Sequence, residues 1–365
     1  MSETADTRKS VFISGNEATA EGGIAGGCRH FFGYPITPQN EIPEYMSEHL
    51  PEIGGVYLQA ESEVAAINMV YGAAAAGARV MTTSSSPGIA LMQEGLSYML
   101  GSELPAVFVN MVRGGPGLGN IAAAQSDYWL ATRGAGHGDG RCITLTPYSV
   151  QELHDFTAGA FEIADRYQNI VMVLADAILA TMMEPCELIP RRDLPLPDRP
   201  YAVGPHDRSE RERNIINSLW IDFDVMEAVN LRIEERYTRA GEEITDWEEF
   251  GSDDPQIMLC AYGISARICE SVVMRADEAG VRLRLIRPRT VFPFPTEPIR
   301  RWAERVDATL VVELSMGQFV EDVRLAVEGS CPVELLARSG GNMPTPGDVL
   351  QKVREVARHV GVAAK

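Results

Sequence analysis

VYLQAESEVAAINMVYGAAAAG, residues 56 to 77, is the stretch whose reading decides the fold. It opens on an extended apolar run, VYLQA, and places Glu61, Ser62 and Glu63 immediately ahead of a helix of Ala, Ile, Met and Val. From Val64 to Gly77 only Asn68 and Tyr71 carry a polar side-chain group, so the helix is expected to be buried on most sides. A strand followed at once by such a helix is half of a βαβ unit. The carboxylate in its first turn is either a partner for the helix dipole or a chemical group held in a dry place. On local chemistry alone the dipole reading of Glu63 is the stronger.

The same alternation extends in both directions. SVFISG (10–15) opens a first unit, followed by a small-residue helix over Gly15–Gly27. HFFGYPITP leads into a loop stiffened by Pro35 and Pro38, with a helix over Glu41–Leu50. ARVMTTSSSPG reads as a strand ending in hydroxyls that cap a helix over Ile89–Leu100. LPAVFVNMV is a continuous apolar run of the kind buried in parallel sheets, and RCITLTP and NIVMVLAD supply two more strands around a helix at Val150–Tyr167. The proline-rich PCELIPRRDLPLPDRP (185–200) suits an extended tether, and Ile215–Arg239 has a helical pattern. From Pro255, QIMLCAYG, a helix over Ser265–Ala279, VRLRLIRP, a helix near Thr296–Glu304 and ATLVVELS repeat the α/β order on a smaller scale. The expected fold is therefore α/β. A doubly wound parallel sheet occupies 1–185, a Pro-rich and acidic connection 186–254, and a smaller α/β domain 255–365.

Composition narrows the function classes. A net charge of −19 over 365 residues opposes a nucleic-acid surface. The acidity is densest between Glu227 and Asp254, where a solvated face is the ordinary reading and a docking patch the alternative. No apolar run reaches the roughly 18 residues a membrane span needs, and the N-terminus lacks the apolar core of a secretory signal, so a cytoplasmic location is expected. Six cysteines form no CxxC pair and six histidines no HxH or HExxH spacing, so no metal site is expected on this chain.

Two residues and a loop stand out beside Glu63. GGPGLG (114–119) has the wrong glycine spacing for a dinucleotide loop and reads better as a flexible loop at a strand's carboxyl end. Arg113, directly before it, is placed to pair with a substrate carboxylate, or else reaches solvent. Thr37, in the stiffened YPITP loop, can present a hydroxyl to a ligand or bond its own turn. The hydroxyls of Thr82–Ser86 have no His or Asp near them in sequence and read as caps.

GNEATAEGGIAGG, FFGYPITPQNEIPEYM, QAESEVAAINMVYGAAAAGARVMTTSSSPGIALMQEGLSYM, ELPAVFVNMVRGGPGLGN, AYGISAR and VVELSMGQF, in that order, resemble the alpha subunit of the 2-oxoacid:ferredoxin oxidoreductases, thiamine diphosphate enzymes related to pyruvate:ferredoxin oxidoreductase. The resemblance spans nearly the whole chain and looks closest to the branched-chain (2-oxoisovalerate) and aryl-2-oxoacid types. It implies a pyrimidine-binding first domain and a C-terminal domain of transketolase type. It implies oxidative decarboxylation of a 2-oxoacid with CoA, giving acyl-CoA, CO2 and reduced ferredoxin. A 2-oxoglutarate type, or a phenylglyoxylate type passing electrons to NAD, are the alternatives within the class; a non-catalytic assembly subunit is the alternative outside it.

On the same resemblance Glu63 contacts the cofactor's aminopyrimidine, where a carboxyl in a dry place suits sharing a proton with N1′. Thr37 and Arg113 hold the 2-oxoacid carboxylate, and Glu61 is the less favoured glutamate. A beta subunit would carry the diphosphate, Mg²⁺ and a 4Fe–4S cluster. Separate gamma and ferredoxin-like delta subunits are implied, and a flavoprotein where NAD is the acceptor.

Overall fold

The computed structural model describes residues 8–191, 194–204 and 213–362. The residues read as lacking a secretory signal fall largely outside them, as do two positions of the Pro-rich stretch. The described strands are β1 (Lys9–Ser14), β2 (His30–Gly33), β3 (Val56–Gln59), β4 (Val80–Ser84), β5 (Ala106–Val112), β6 (Ile143–Leu145), β7 (Ile170–Asp176), β8 (Met183–Leu188), β9 (Trp247–Gly251), β10 (Ile257–Cys260), β11 (Leu283–Pro288), β12 (Thr290–Phe292), β13 (Ala308–Glu313) and β14 (Val333–Ala337).

The two longest apolar runs lie at the centre. β5 and β7 are buried at every position and pair in parallel from Ala106 against Ile170 to Val112 against Asp176. Around them the main sheet runs β12-β6-β7-β5-β4-β2-β3, parallel except for β12. The second sheet runs β14-β13-β10-β11-β9, parallel except for β9. Helices fill the crossovers in both, so the α/β class and doubly wound topology are as expected.

Several local expectations are corrected. SVFISG does not join the main sheet: β1 pairs antiparallel with β8 as a separate two-stranded ribbon. An alternating strand pattern specifies extended backbone but not its partner, and β8 forms inside what reads as the start of a tether. The helix expected over Ile215–Arg239 is Phe223–Glu243. Asp222 sets its start, its carboxylate accepting from Asp224 N at 3.0 Å and Val225 N at 3.1 Å. Two strands tie the chain's parts together. β9, from the acidic connection, edges the second sheet, and β12, from the C-terminal part, edges the main one.

The Glu63–Ala75 helix begins where Ser62, in extended backbone, accepts from Ala65 N at 3.1 Å. It ends at Gly77, whose φ of +85° suits glycine. It is not buried on most sides. Ala66, Ile67, Val70 and Ala74 face the core, while Val64, Asn68, Gly72 and Ala76 are exposed. Among the described residues no helix is long and apolar enough to cross a membrane.

Candidate active site

The carboxyl ends of β2 to β5 converge on the residues singled out in the sequence. Glu63 occupies the first turn of its helix and is 5% exposed, whereas Glu61 two residues earlier is open to solvent. Opposite it runs the helix Ser86–Gly101. Two glycines on that helix let the pair approach. A Cβ on Gly95 would lie 2.3 Å from Ile67 Cγ1, and one on Gly88 would lie 2.6 Å from Glu63 Oε1 and 2.0 Å from Ser84 Oγ. The Glu63 carboxylate is thus seated against bare backbone, without a side-chain hydrogen bond among the described residues. The hydroxyls of Thr82, Ser84 and Ser85, and Asn110 Oδ1, are likewise buried and unpartnered. Buried polar atoms in a folded interior are ordinarily paired, so this group has hydrogen-bonding capacity to spare.

Arg113 and Thr37 meet directly. The Arg113 guanidinium is nearly buried and donates through Nη1 to the Thr37 carbonyl at 2.9 Å and through Nη2 to the Leu118 carbonyl at 3.1 Å. It therefore staples the YPITP loop to the glycine-rich loop. Thr37 itself is exposed, its hydroxyl 3.3 Å from Asn40 Nδ2. Behind it Gln39 is buried, accepting from the Thr83 hydroxyl and donating to the Tyr34 carbonyl at 3.2 Å, so the loop is anchored to β4. Ser86, at the start of the Gly88 helix, accepts from Arg113 N at 3.1 Å. Burial pushes the Asp127 carboxyl up, against hydrogen bonds from Ser86 and Asn110, the latter at 2.9 Å. One helix end thus touches both the Glu63 and the Arg113 sides of the site.

The GGPGLG loop is a hairpin rather than a nucleotide loop. Arg113 bridges Ala123 antiparallel, Asn120 N donates to Gly114 O at 3.0 Å, and Gly119 (φ +57°) has no room for a side chain beside Gly114 O. Its return arm is bolted to the second sheet by Gln125. Gln125 Nε2 donates to Tyr262 O at 2.8 Å, and its Oε1 accepts from Ser265 Oγ at 2.8 Å and Leu314 N at 2.9 Å. Beside Thr37 a cleft of about 410 Å³ opens between Glu41, Ile121, Ala123, Ile178 and Gly341.

Sequence reading singles out Glu63, Arg113 and Thr37, takes Ser86 for a cap, and misses Gly88, Gln39 and Gln125. Ser85 at the helix start makes no side-chain capping bond, and Ser86 bonds the Arg113 backbone instead. SPG at 86–88 carried a usable signal, because a glycine in the first turn of a helix facing an acid-headed helix invites close approach.

A buried carboxylate near the strand ends of a doubly wound sheet, with an arginine-stapled loop beside it, lies where α/β sheets commonly take their ligands. Residues 21–249 match the family model "Pyruvate flavodoxin/ferredoxin oxidoreductase, thiamine diP-bdg", and 256–349 match "Pyruvate:ferredoxin oxidoreductase core domain II". The chain belongs to this family and is a subunit of a 2-oxoacid:ferredoxin oxidoreductase. It is 47% identical to the ketoisovalerate oxidoreductase subunit VorB of Methanothermobacter marburgensis over 94% of this chain and 97% of that one. It is 35% identical to the 2-oxoglutarate synthase subunit KorA of the same organism, over 94% and 98%. In structure it resembles 2-oxoglutarate:ferredoxin oxidoreductase from Magnetococcus marinus, solved with 2-oxoglutarate, coenzyme A and succinyl-CoA. There the TM-score is 0.86 at 26% identity, and the match spans 96% of this chain and 65% of that one.

Proposed function

We propose that this chain is the alpha subunit of a branched-chain 2-oxoacid:ferredoxin oxidoreductase, supplying the aminopyrimidine and carboxylate contacts of a site completed by another subunit. The reaction is oxidative decarboxylation of the 2-oxoacid with CoA to acyl-CoA, CO2 and reduced ferredoxin.

The residues fit the cofactor. The buried Glu63 and the unpartnered Ser84 hydroxyl, both against the bare backbone of Gly88, suit a flat heteroaromatic ring with polar edges, and the absent side chain at Gly88 leaves room. Thiamine diphosphate, where bound, would supply the electron-sink chemistry that decarboxylation of a 2-oxoacid needs. Glu63 holds a proton shared with the pyrimidine N1′. Arg113, two of whose nitrogens already donate to backbone carbonyls, turns its remaining donors to the carboxylate, and the exposed Thr37 hydroxyl donates a further hydrogen bond. The diphosphate, Mg²⁺ and 4Fe–4S cluster fall to a beta subunit, with gamma and ferredoxin-like delta subunits completing a cytoplasmic complex.

The substrate reading is carried by the greater identity to the ketoisovalerate subunit, 47% against 35% for the 2-oxoglutarate subunit, and the cleft beside Thr37 agrees with it. Its walls are mostly apolar, its charged lining residue is Glu41, and no cation lines it among the described residues. A second carboxylate on the substrate would meet like charge, whereas an aliphatic chain would be covered. This favours 2-oxoisovalerate over 2-oxoglutarate.

A substrate panel on the purified complex tests it. kcat/KM is expected to be highest for branched oxoacids, with aryl oxoacids next; preference for 2-oxoglutarate overturns the assignment. Glu63→Ala is expected to abolish turnover in an assembled complex, and full turnover would remove its role.

A further inference from the structure

Residues 214–231 hold the most anomalous surface on the molecule. The chain is pinned at Asn214, whose Nδ2 donates to Ala202 O at 2.9 Å, and then runs without helix or strand to Asp222. Ile216 packs against the core, but Ile215, Leu219, Ile221, Phe223 and Leu231 are each at least 66% exposed, Phe223 reaching 90%. Single exposed apolar residues are ordinary; this many along one short segment are not. The helix Phe223–Glu243 buries only Val229, Tyr237 and Ala240, so its first turn has no buried side chain among the described residues. Helices depend on packing of an apolar face, and this one presents that face outward.

Charge indicates what covers it. Asp222, Asp224 and Glu227 are interleaved with the apolar residues, Glu234 and Glu235 follow them, and none of the five forms an ion pair among the described residues, while Arg232 and Arg236 are both tied to Glu103. Arg213, at the root, is the exception in sign. A twofold contact with a second copy would lay these carboxylates against themselves, in a chain already at −19. We propose that 214–231 is a docking arm for a different subunit of the complex, one that offers an apolar groove with a basic rim. The apolar row supplies affinity and the acids select the partner. The proposal does not depend on which 2-oxoacid is accepted, since its readout is assembly.

The test uses the co-expressed complex. A photo-crosslinking phenylalanine analogue at position 223 or 221 is expected to capture an apolar, Lys/Arg-flanked segment of another subunit. Capture of a second copy of this chain overturns the proposal. So does backbone amide exchange over 214–231 that is as fast in the complex as in the isolated chain. Ile221→Ser with Phe223→Ser should weaken assembly about tenfold or more without lowering the isolated chain's Tm. Asp224→Lys with Glu227→Lys should weaken it too, and unchanged assembly in that variant overturns the basic rim.

Discussion

Arg113 donates from Nη1 to the carbonyl of Thr37 at 2.9 Å, across 76 residues of chain. The arginine therefore shapes the loop that presents the Thr37 hydroxyl as well as offering charge to a substrate. Arg113→Ala is expected to raise KM for the 2-oxoacid about 100-fold, roughly 3 kcal/mol of lost carboxylate binding. Arg113→Lys should recover only a small part, because a single ammonium cannot hold both loop carbonyls and a carboxylate in one plane. Steady-state kinetics on the complex decide it, and an unchanged KM removes the clamp.

Gly88 separates packing from chemistry. Gly88→Ala drives a methyl group into Glu63 Oε1 and Ser84 Oγ, whereas Gly95→Ala drives one into Ile67 between the same two helices. Both should lose about 1–3 kcal/mol of stability from overpacking. Only Gly88→Ala displaces the carboxylate, so its kcat should fall much further at equal Tm. Equal kcat in the two variants would detach Glu63 from catalysis.

Asp176 ends β7 fully buried, its carboxylate accepting from Ile178 N at 2.9 Å and Leu179 N at 3.2 Å. Burial outweighs these bonds and pushes its pKa up to about 6. The native state thus keeps a proton that the unfolded chain releases near pH 4. Stability from this group falls as pH rises between those values, by up to about 3 kcal/mol, and is level above. Asp176→Asn keeps an acceptor and loses the slope. Urea unfolding should show it near wild type at pH 4 and more stable at pH 7; the reverse order would refute the buried-acid account.

All six cysteines are free and buried. Burial pushes the Cys28 and Cys142 thiols up to about 12 and those of Cys260 and Cys269 further still. Thiolates are the reactive form, so a thiol reagent at pH 8 should label none of the six in the native chain and all of them in urea. Rapid native labelling of any one would show an opening absent from this structure.

What the sequence disclosed follows from range. β5 and β7 are legible because a seven-residue apolar run has one stable place in a parallel sheet. Ser62, with an extended run before it and small residues after, marks its helix start locally. The ribbon partner of β1 and the crossing of β12 depend on contacts far along the chain and leave no periodicity. Ile215–Ile221 imitates a helical face because its apolar side chains serve a surface instead of a core. At the candidate site, Glu63, Arg113 and Thr37 stand out through the family resemblance, since local chemistry alone favours a dipole partner, a solvent-reaching arginine and a turn threonine. Gly88 and Gln125 act through neighbours distant in sequence, so their spacing carries no sign of the task.

The edge strand β12 has a consequence for how the protein is made. Residues 290–292 close the main sheet against β6, yet they leave the ribosome long after β2 to β7 have done so. Until then the β6 edge stands open, available to any passing strand. Nascent-chain folding of the first sheet should therefore reach completion only once Phe292 has emerged from the ribosome.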